Sequence, residues 1–205
     1  MIAIIDYKAG NLTSVRLAFE SIGADAVITG SPAEISRAER VVFPGVGAAE
    51  AAMRNLRELG LADTIREVVG AGTPFLGICL GTQIIFEHSD EDGGVDCVGL
   101  IPGTVEHFTP SNPYDKVPHM GWNSVCQTTP HPLFDGIADN SEFYFVHSLY
   151  PIPKDSSWII GTTEYADTTF ASAVAHNNLA ATQFHPEKSG KIGLRLLSNF
   201  CSWNP

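Results

Sequence analysis

The sequence predicts an α/β fold, a doubly wound, mostly parallel sheet with an antiparallel extension. Over the first eighty residues, apolar runs of strand length alternate with stretches whose apolar residues recur at helical spacing, the pattern of parallel strands joined by crossover helices. From Val98 onward the texture changes to strand-like segments separated by Pro, Asn and Asp turns, which suits mixed or antiparallel pairing. The length, 205 residues, fits one domain spanning 1–205.

Met1–Asp6 reads as the first strand and breaks at Ala9-Gly10, after which Asn11 caps a helix carrying Leu12, Val15, Phe19 and Ile22 on one face. Ala26–Thr29 is the next strand. Ser31, Pro32 and Glu34 then supply the cap, the first helical residue and the reciprocal acid of a capping box. A third strand, Arg40–Phe43, ends on Pro44-Gly45-Val46-Gly47. Helical patterns fill Ala48–Leu59 and Ala62–Val69 and lead to a strand ending at Cys79, whose apolar successor Leu80–Phe86 suits the first turns of a helix. Further strand-like segments are Gly103–Phe108, Phe143–Val146, Trp158–Tyr165, Thr169–Ala175 and Ala180–Phe184. The final helix starts at Lys188, with Ile192, Leu196 and Phe200 on one stripe.

Twelve basic against 23 acidic side chains give a net charge of −11 with no basic cluster, so nucleic acid and anionic membrane are poor partners. No apolar run reaches the length of a bilayer span and the N-terminus lacks a basic lead, so a soluble cytoplasmic protein is expected. Cys79, Cys97, Cys126 and Cys201 are irregularly spaced, with no C-x-x-C; neither a metal site nor a disulfide framework is expected. Nor is a cofactor. Gly45-Val46-Gly47 fails as a dinucleotide fingerprint because Glu50 stands at the third glycine position, and no phosphate-cradling G-x-x-x-x-G-K-[ST] occurs. Asp90–Gly94 starts like a calcium loop but continues with Val95 and Ile101 where Gly and Glu are needed, and reads as a solvated acidic loop.

Cys79 sits at a strand-to-helix joint between Gly77 and Gly81, the thiol counterpart of the G-x-S-x-G nucleophile elbow. Glycine on both flanks permits a sharp, strained turn, and the start of the following helix favours a thiolate and offers free N–H groups to an oxyanion. A buried, inert cysteine is the alternative. Of seven histidines, His185 alone has an informative context: Pro186 forces it into extended backbone, so Glu187 lies beside the imidazole as an orienter. A strand-ending turn with a solvated Glu is the other reading. The Pro44–Gly47 turn, at the carboxyl end of a strand, lets backbone approach a ligand and rotate a peptide; a plain turn is again the alternative.

Gly77 to Gln83 together with His185-Pro186-Glu187 resembles the class I, triad-type glutamine amidotransferases, whose Cys, His and Glu stand in this chain order. More narrowly, Asp6–Asn11, Pro44–Gly47, Pro118–Asn123, Tyr144–Ser148 and Gln183–Gly190 are similar to the glutaminase subunits of imidazole glycerol phosphate synthases. The resemblance implies a flavodoxin-like fold and hydrolysis of L-glutamine through a thioester on Cys79, with His185 as base and Glu187 as its orienter. It further implies an oxyanion hole from Leu80 and the Val46 or Gly47 peptide, and a pocket of Gly47, Gln83, His147, Ser148 and Leu149. A single domain has no second site to use the ammonia. The implied consumer is a (β/α)8-barrel cyclase of histidine biosynthesis, met through Asn11, Trp122, Tyr144 and Lys188. Lys8, Thr82 and Leu149 depart from the family's usual Gly, Met and aromatic residue. Two other readings stay open: a glutaminase for another synthase, such as that of pyridoxal phosphate, and a non-catalytic binding module or other cysteine hydrolase of the same fold.

Overall fold

Central parallel strands are covered on both faces, and their sequences accordingly run apolar without alternation. In the computed structural model, which describes residues 1–205, this holds for β1 (Ile2–Ile5), β3 (Arg40–Gly45) and β4 (Phe75–Cys79), whose side chains are almost all buried. With β2 (Ala26–Thr29) outside β1 and β13 (Leu179–Thr182) beside β4, they form the parallel half of a nine-stranded sheet. The antiparallel half adds β12 (Thr168–His176), β11 (Ile159–Tyr165), β8 (His119–Gln127) and β9 (Ser141–His147), in the order β2-β1-β3-β4-β13-β12-β11-β8-β9.

Alternation along the strands divides the core in two. Ile4, Val42 and Ile78 point to one face, where α1 (Leu12–Ser21) and α6 (Gly190–Ser202) cover them with Val15, Phe19, Leu196 and Phe200. Ile5, Val41, Phe43 and Phe75 point to the other, under α3 (Ala49–Glu58) and α4 (Leu61–Gly70) with Met53, Leu56, Ile65 and Val68. No helix is long and apolar enough to cross a membrane.

Several local expectations need correction. The helix after Ser31 is a single turn, α2 (Pro32–Ile35), and Ser31 makes no capping bond; the Thr29 hydroxyl bonds the Glu34 carboxylate and accepts the Ser31 N–H instead. Asn11 occupies the cap position of α1 but likewise makes no side-chain cap. Leu80–Phe86 stops as a helix after one turn, α5 (Leu80–Gln83). The N–H groups of Val98, Gly99 and Leu100 take the carbonyls of Ile84, Phe86 and Ile85, so the chain is tied to a neighbouring loop rather than to its own next turn. The final helix is preceded by a separate 3₁₀ turn, Pro186–Lys188. Beyond the expected segments, β8 (His119–Gln127), β10 (Leu149–Pro153), β5 (His88–Ser89) and β6 (Val95–Asp96) appear; the last three join the expected β7 (Gly103–His107) in a second sheet of order β10-β7-β5-β6.

Candidate active site

Three neighbouring parallel strands, β3, β4 and β13, deliver their carboxyl ends to one place, where open α/β sheets gather their ligands. β3 ends on the Gly45–Gly47 turn, β4 on Cys79, and β13 runs into Gln183, Phe184 and His185. Cys79 has φ 55° and ψ −108°, a conformation that costs a non-glycine residue about 1–3 kcal/mol and that projects the side chain from a sharp turn. Gly81 is what lets the turn close. A side-chain carbon there would stand 1.8 Å from the Phe43 carbonyl oxygen, so the first turn of α5 packs directly on β3. Because α5 is one turn long, its contribution to the site is free backbone N–H groups rather than a long dipole.

His185 and Glu187 meet, but not through an extended chain: His185 itself is extended, whereas Pro186–Lys188 forms a 3₁₀ turn that brings Glu187 back to the imidazole. Nδ1 of His185 lies 2.8 Å from Glu187 Oε1, with both side chains almost fully buried. The backbone is clamped as well: His185 N–H donates to the Tyr144 carbonyl (2.9 Å), while the Ser189 hydroxyl donates to the His185 carbonyl (2.6 Å) and accepts from Tyr144 N–H (3.0 Å). Burial opposes the imidazolium, but the Cys79 thiolate and the Glu187 carboxylate outweigh it and push the pKa up to about 10. Nε2 completes no hydrogen bond in this resting arrangement, so the sulfur acts on the ring through its charge; such contacts commonly tighten only with substrate bound. Four buried side-chain polar atoms lack a partner, and three of them, Tyr7 Oη, His185 Nε2 and Glu187 Oε2, belong to this region.

Cys79 and His185 open onto a cleft of about 370 Å³ whose walls include Val46, Gly47, Leu80, Gln83, His147, Ser148 and Leu149. Its floor is a hydrogen-bonded chain. The Leu149 carbonyl accepts from both Gln83 Nε2 (3.0 Å) and His147 Nδ1 (2.7 Å), Gln83 Nε2 also reaches Gln183 Oε1 (3.1 Å), and Gln183 Nε2 stands 3.8 Å from Cys79 Sγ. Since a carbonyl only accepts, His147 carries its proton on Nδ1, and its Nε2 accepts from His119 Nδ1 at 2.9 Å. His119 in turn stacks between Tyr165 and Phe145. Desolvation lowers the pKa of His119 to about 4 and that of His147 to about 3, so both rings are neutral at physiological pH.

Leu149 enters the floor through its backbone, while its side chain packs into the core. Thr82, by its hydroxyl, bonds the Thr182 carbonyl (2.6 Å), and Lys8 holds a left-handed φ of 67°, the conformation that makes glycine usual there. Trp122, Tyr144 and Lys188 cluster on the surface beside His185: the two rings meet edge-on at 6.2 Å and the lysine Nζ lies 5.9 Å from the Tyr144 centroid. Exposed Asn11 stands at the start of α1, which packs against the Pro186–Lys188 turn. Trp122 and Met120 are 55% and 63% exposed, large apolar groups left to solvent on one face of β8.

Sequence reasoning missed Glu91. Far from being solvated, it lines the cleft and accepts the Ala49 N–H at 2.5 Å, fixing the start of α3. His119 was missed too, since nothing in its local sequence marks it as a partner of His147. A larger groove, about 780 Å³, lies between Pro130–Gly136 and the end of α6; it contains His131, Asp135 and Trp203 but lacks the pairing of a cysteine with a carboxylate-bound histidine that lines the smaller cleft. No group of three His, Cys, Asp or Glu side chains is placed to hold a metal.

Known proteins share both sequence and fold with this chain. The family described as "Glutamine amidotransferase class-I" matches residues 3–202. "Imidazole glycerol phosphate synthase subunit HisH" of Nitrosococcus oceani is 49% identical over 205 residues, covering 99% of this chain and 97% of that protein. The protein of the same description from Pseudomonas putida is 48% identical, again over 99% and 97%. Among solved structures, "Structure of PurLQS from Thermotoga maritima" aligns with a TM-score of 0.76 at 15% identity over 98% and 97% of the two chains. "Crystal structure of glutamine amidotransferase" aligns at 0.72 and 17% over 98% of each. At such identities the structural matches speak for the mixed α/β fold alone.

Proposed function

Since the chain belongs to the class I glutamine amidotransferase family, we propose that it is the glutaminase subunit of an imidazole glycerol phosphate synthase. It releases ammonia from L-glutamine in the cytoplasm and hands it to a (β/α)8-barrel cyclase for histidine biosynthesis. Residues 1–205 act as one amidotransferase domain. The observation that carries the reading is the opening of Cys79 and of the Glu187-bound His185 onto one cleft.

The Cys79 thiolate attacks the carboxamide carbon of glutamine. The oxyanion is held by the N–H of Leu80 and by one from the Val46–Gly47 segment. His185, charged while the thiolate persists, protonates the departing nitrogen; ammonia leaves and a thioester remains. The now neutral imidazole takes a proton from water, hydroxide adds to the thioester, and glutamate departs as the thiolate is restored. Glu187 orients the ring and stabilises its charged form. At the other end of the substrate, Glu91 supplies a negative charge for the α-ammonium group. Gln83 has both amide hydrogens committed within the chain, which leaves its Oε1 for the ligand, and the His147–Leu149 segment closes that wall. Asn11, Trp122, Tyr144 and Lys188 face the barrel.

Incubation with a glutamine-analogue electrophile should label Cys79, and Cys79→Ala should abolish glutamine hydrolysis while synthesis from added ammonia by the complex survives. A non-catalytic binding module would stay unlabelled. Near-normal turnover in Cys79→Ala would sink the nucleophile assignment.

A further inference from the structure

Gln183 follows directly on β13, whose parallel register with β4 pairs Thr182 with Ile78 and so sets Gln183 level with Cys79. The residue is fully buried, and its backbone N–H donates to the Ser172 carbonyl at 2.9 Å, which fixes it against β12. Burying an amide side chain is unfavourable unless its polar ends are bonded, and an apolar residue would fill the same space without that requirement. The bonds of this amide are therefore informative.

Which end of it faces the sulfur is decided by a chain that starts across the cleft. The Leu149 carbonyl can only accept, so Gln83 turns its NH2 group to it, at 3.0 Å; the second hydrogen of that group goes to Gln183 Oε1, at 3.1 Å. Gln183 then presents its own NH2 group on the other side, where Nε2 lies 3.8 Å from Cys79 Sγ. The reverse orientation would set NH2 against NH2 and a carbonyl oxygen against the sulfur. The other polar neighbour bonded to the sulfur is the Val146 carbonyl, also at 3.8 Å, which attracts a thiol proton and repels a thiolate. Gln183 does the opposite, and a hydrogen bond to an ionised acceptor is the stronger kind. The titratable side chains that face the sulfur are His185 and Tyr7, with Glu91 and the neutral His147 elsewhere on the cleft wall.

We infer that Gln183 is a further catalytic residue: its side-chain amide, held in one orientation by Gln83 and the Leu149 carbonyl, donates to the Cys79 sulfur and stabilises the thiolate before attack and again when the thioester is released. The inference rests on the glutaminase reading above and gives the nucleophile of that reading a neutral donor in addition to His185.

Alkylation by iodoacetamide, followed site by site across pH in the full complex, reads the thiolate directly, and exposed Cys126 serves as an internal control. In Gln183→Leu the acid limb of the Cys79 profile should move up by about one pH unit, a tenfold loss of thiolate below the limb, with Cys126 unchanged. The alkaline plateau should be equal or slightly faster, because a less stabilised thiolate is the better nucleophile. Below the limb, kcat/KM for glutamine should fall about tenfold and recover as pH rises, while synthesis from added ammonia is unchanged. Gln183→Met, unbranched and of similar length, should behave alike and decides the matter where leucine disturbs the packing. A limb within about 0.2 pH unit of the parent in either folded variant would overturn the inference. So would a lower melting temperature with Cys79 slowed equally at every pH, the mark of a packing defect. Should neither variant fold, the parent decides: the side-chain NH2 resonances of Gln183 should move with the midpoint of Cys79 alkylation, and resonances indifferent to it would sink the contact. If the parent complex neither hydrolyses glutamine nor is labelled at Cys79 by a glutamine-analogue electrophile, the glutaminase reading fails and the catalytic assignment falls with it; an active parent whose Cys79 profile is unmoved in Gln183→Leu overturns the assignment alone.

Discussion

The His185 ring is a balance of opposed effects. Burial disfavours its charge, the thiolate and carboxylate beside it favour the charge, and the pKa settles near 10 against an ordinary 6.5. A folded-state pKa above the unfolded one means that the ion pairs stabilise fully below about 6.5 and cease to do so as pH rises through about 10. In Glu187→Gln one of the two supporting charges is gone. The basic limb of kcat/KM for glutamine should therefore move down from near pH 10, and the alkaline loss of melting temperature should shift with it. Turnover should suffer less in Glu187→Gln than in His185→Ala, because the glutamine amide can still hold the ring. A glutaminase assay ranking the two variants the other way would remove the orienting role from Glu187.

Among the elements, α5 and β8 do most to shape the cleft. α5 can rest on β3 because Gly81 has no side chain, and a methyl group there would overlap the Phe43 carbonyl. Gly81→Ala should cost about 1–3 kcal/mol or more as an overpacking substitution, and should also lower kcat by carrying the Leu80 N–H away from Cys79. Urea unfolding read beside turnover tests both; a stable, fully active variant would show that α5 does not set the site. Along β8 the alternation of a strand sends Met120 and Trp122 outward while His119 and Asn123 turn inward, where His119 bonds His147 and Asn123 Nδ2 lies 3.3 Å from His119 Nε2. Both rings stay neutral in the folded chain down to about pH 4 and 3, whereas the unfolded chain protonates them near 6.5. Stability should thus fall as pH falls through that window, by up to about 1.4 kcal/mol per pH unit for each ring. His119→Phe should shrink that slope and, by leaving His147 Nε2 unbonded, cost about 1–3 kcal/mol at pH 7. An unchanged acid slope would mean that His119 is not the buried neutral group described.

For the whole molecule, the central issue is when the oxyanion hole exists. Free hydrolysis would waste glutamine, and under the proposed mechanism a peptide of the Gly45–Gly47 turn would present a carbonyl to the oxyanion in one orientation and an N–H in the other. One oxyanion donor is worth about 2.7–4 kcal/mol, or roughly 10²–10³ in rate, enough for a single peptide to gate the reaction. The exposed Trp122 and Lys188 and the half-buried Tyr144 form a surface joined through the Tyr144 backbone to His185, so a docked partner has a short mechanical route to the site. Glutamine turnover should be poor for the chain alone and rise at least 100-fold with the barrel and its ligand. Equal rates alone, with empty barrel and with loaded barrel would show a preformed hole.

The parallel strands and their helices are determined by the sequence itself, because runs such as Ile2–Ile5 and Val41–Phe43 admit no exposed face and a 3.6-residue period admits one core-facing stripe. The G-x-C-x-G turn and the His-Pro-Glu spacing are local in the same sense, since two or three consecutive dihedrals decide where those side chains go. What only the tertiary structure decides is everything whose partner is distant in the chain. β8 contains Gly121, Asn123, Ser124 and Gln127 and has no strand signature; it is a strand because β9 and β11 bond it from both sides. β10 carries two prolines and survives as a strand because it lies at a sheet edge, where the missing N–H groups cost no ladder bond. Glu91 becomes a cleft residue through the Ala49 N–H, 42 positions away, and His119 becomes the donor to His147 across 28. Gln183, one polar residue ahead of Phe184 and His185, comes to lie between Gln83 and Cys79 only because β4 and β13 stand side by side, a juxtaposition set by loop closure and burial rather than by any residue's neighbours in sequence.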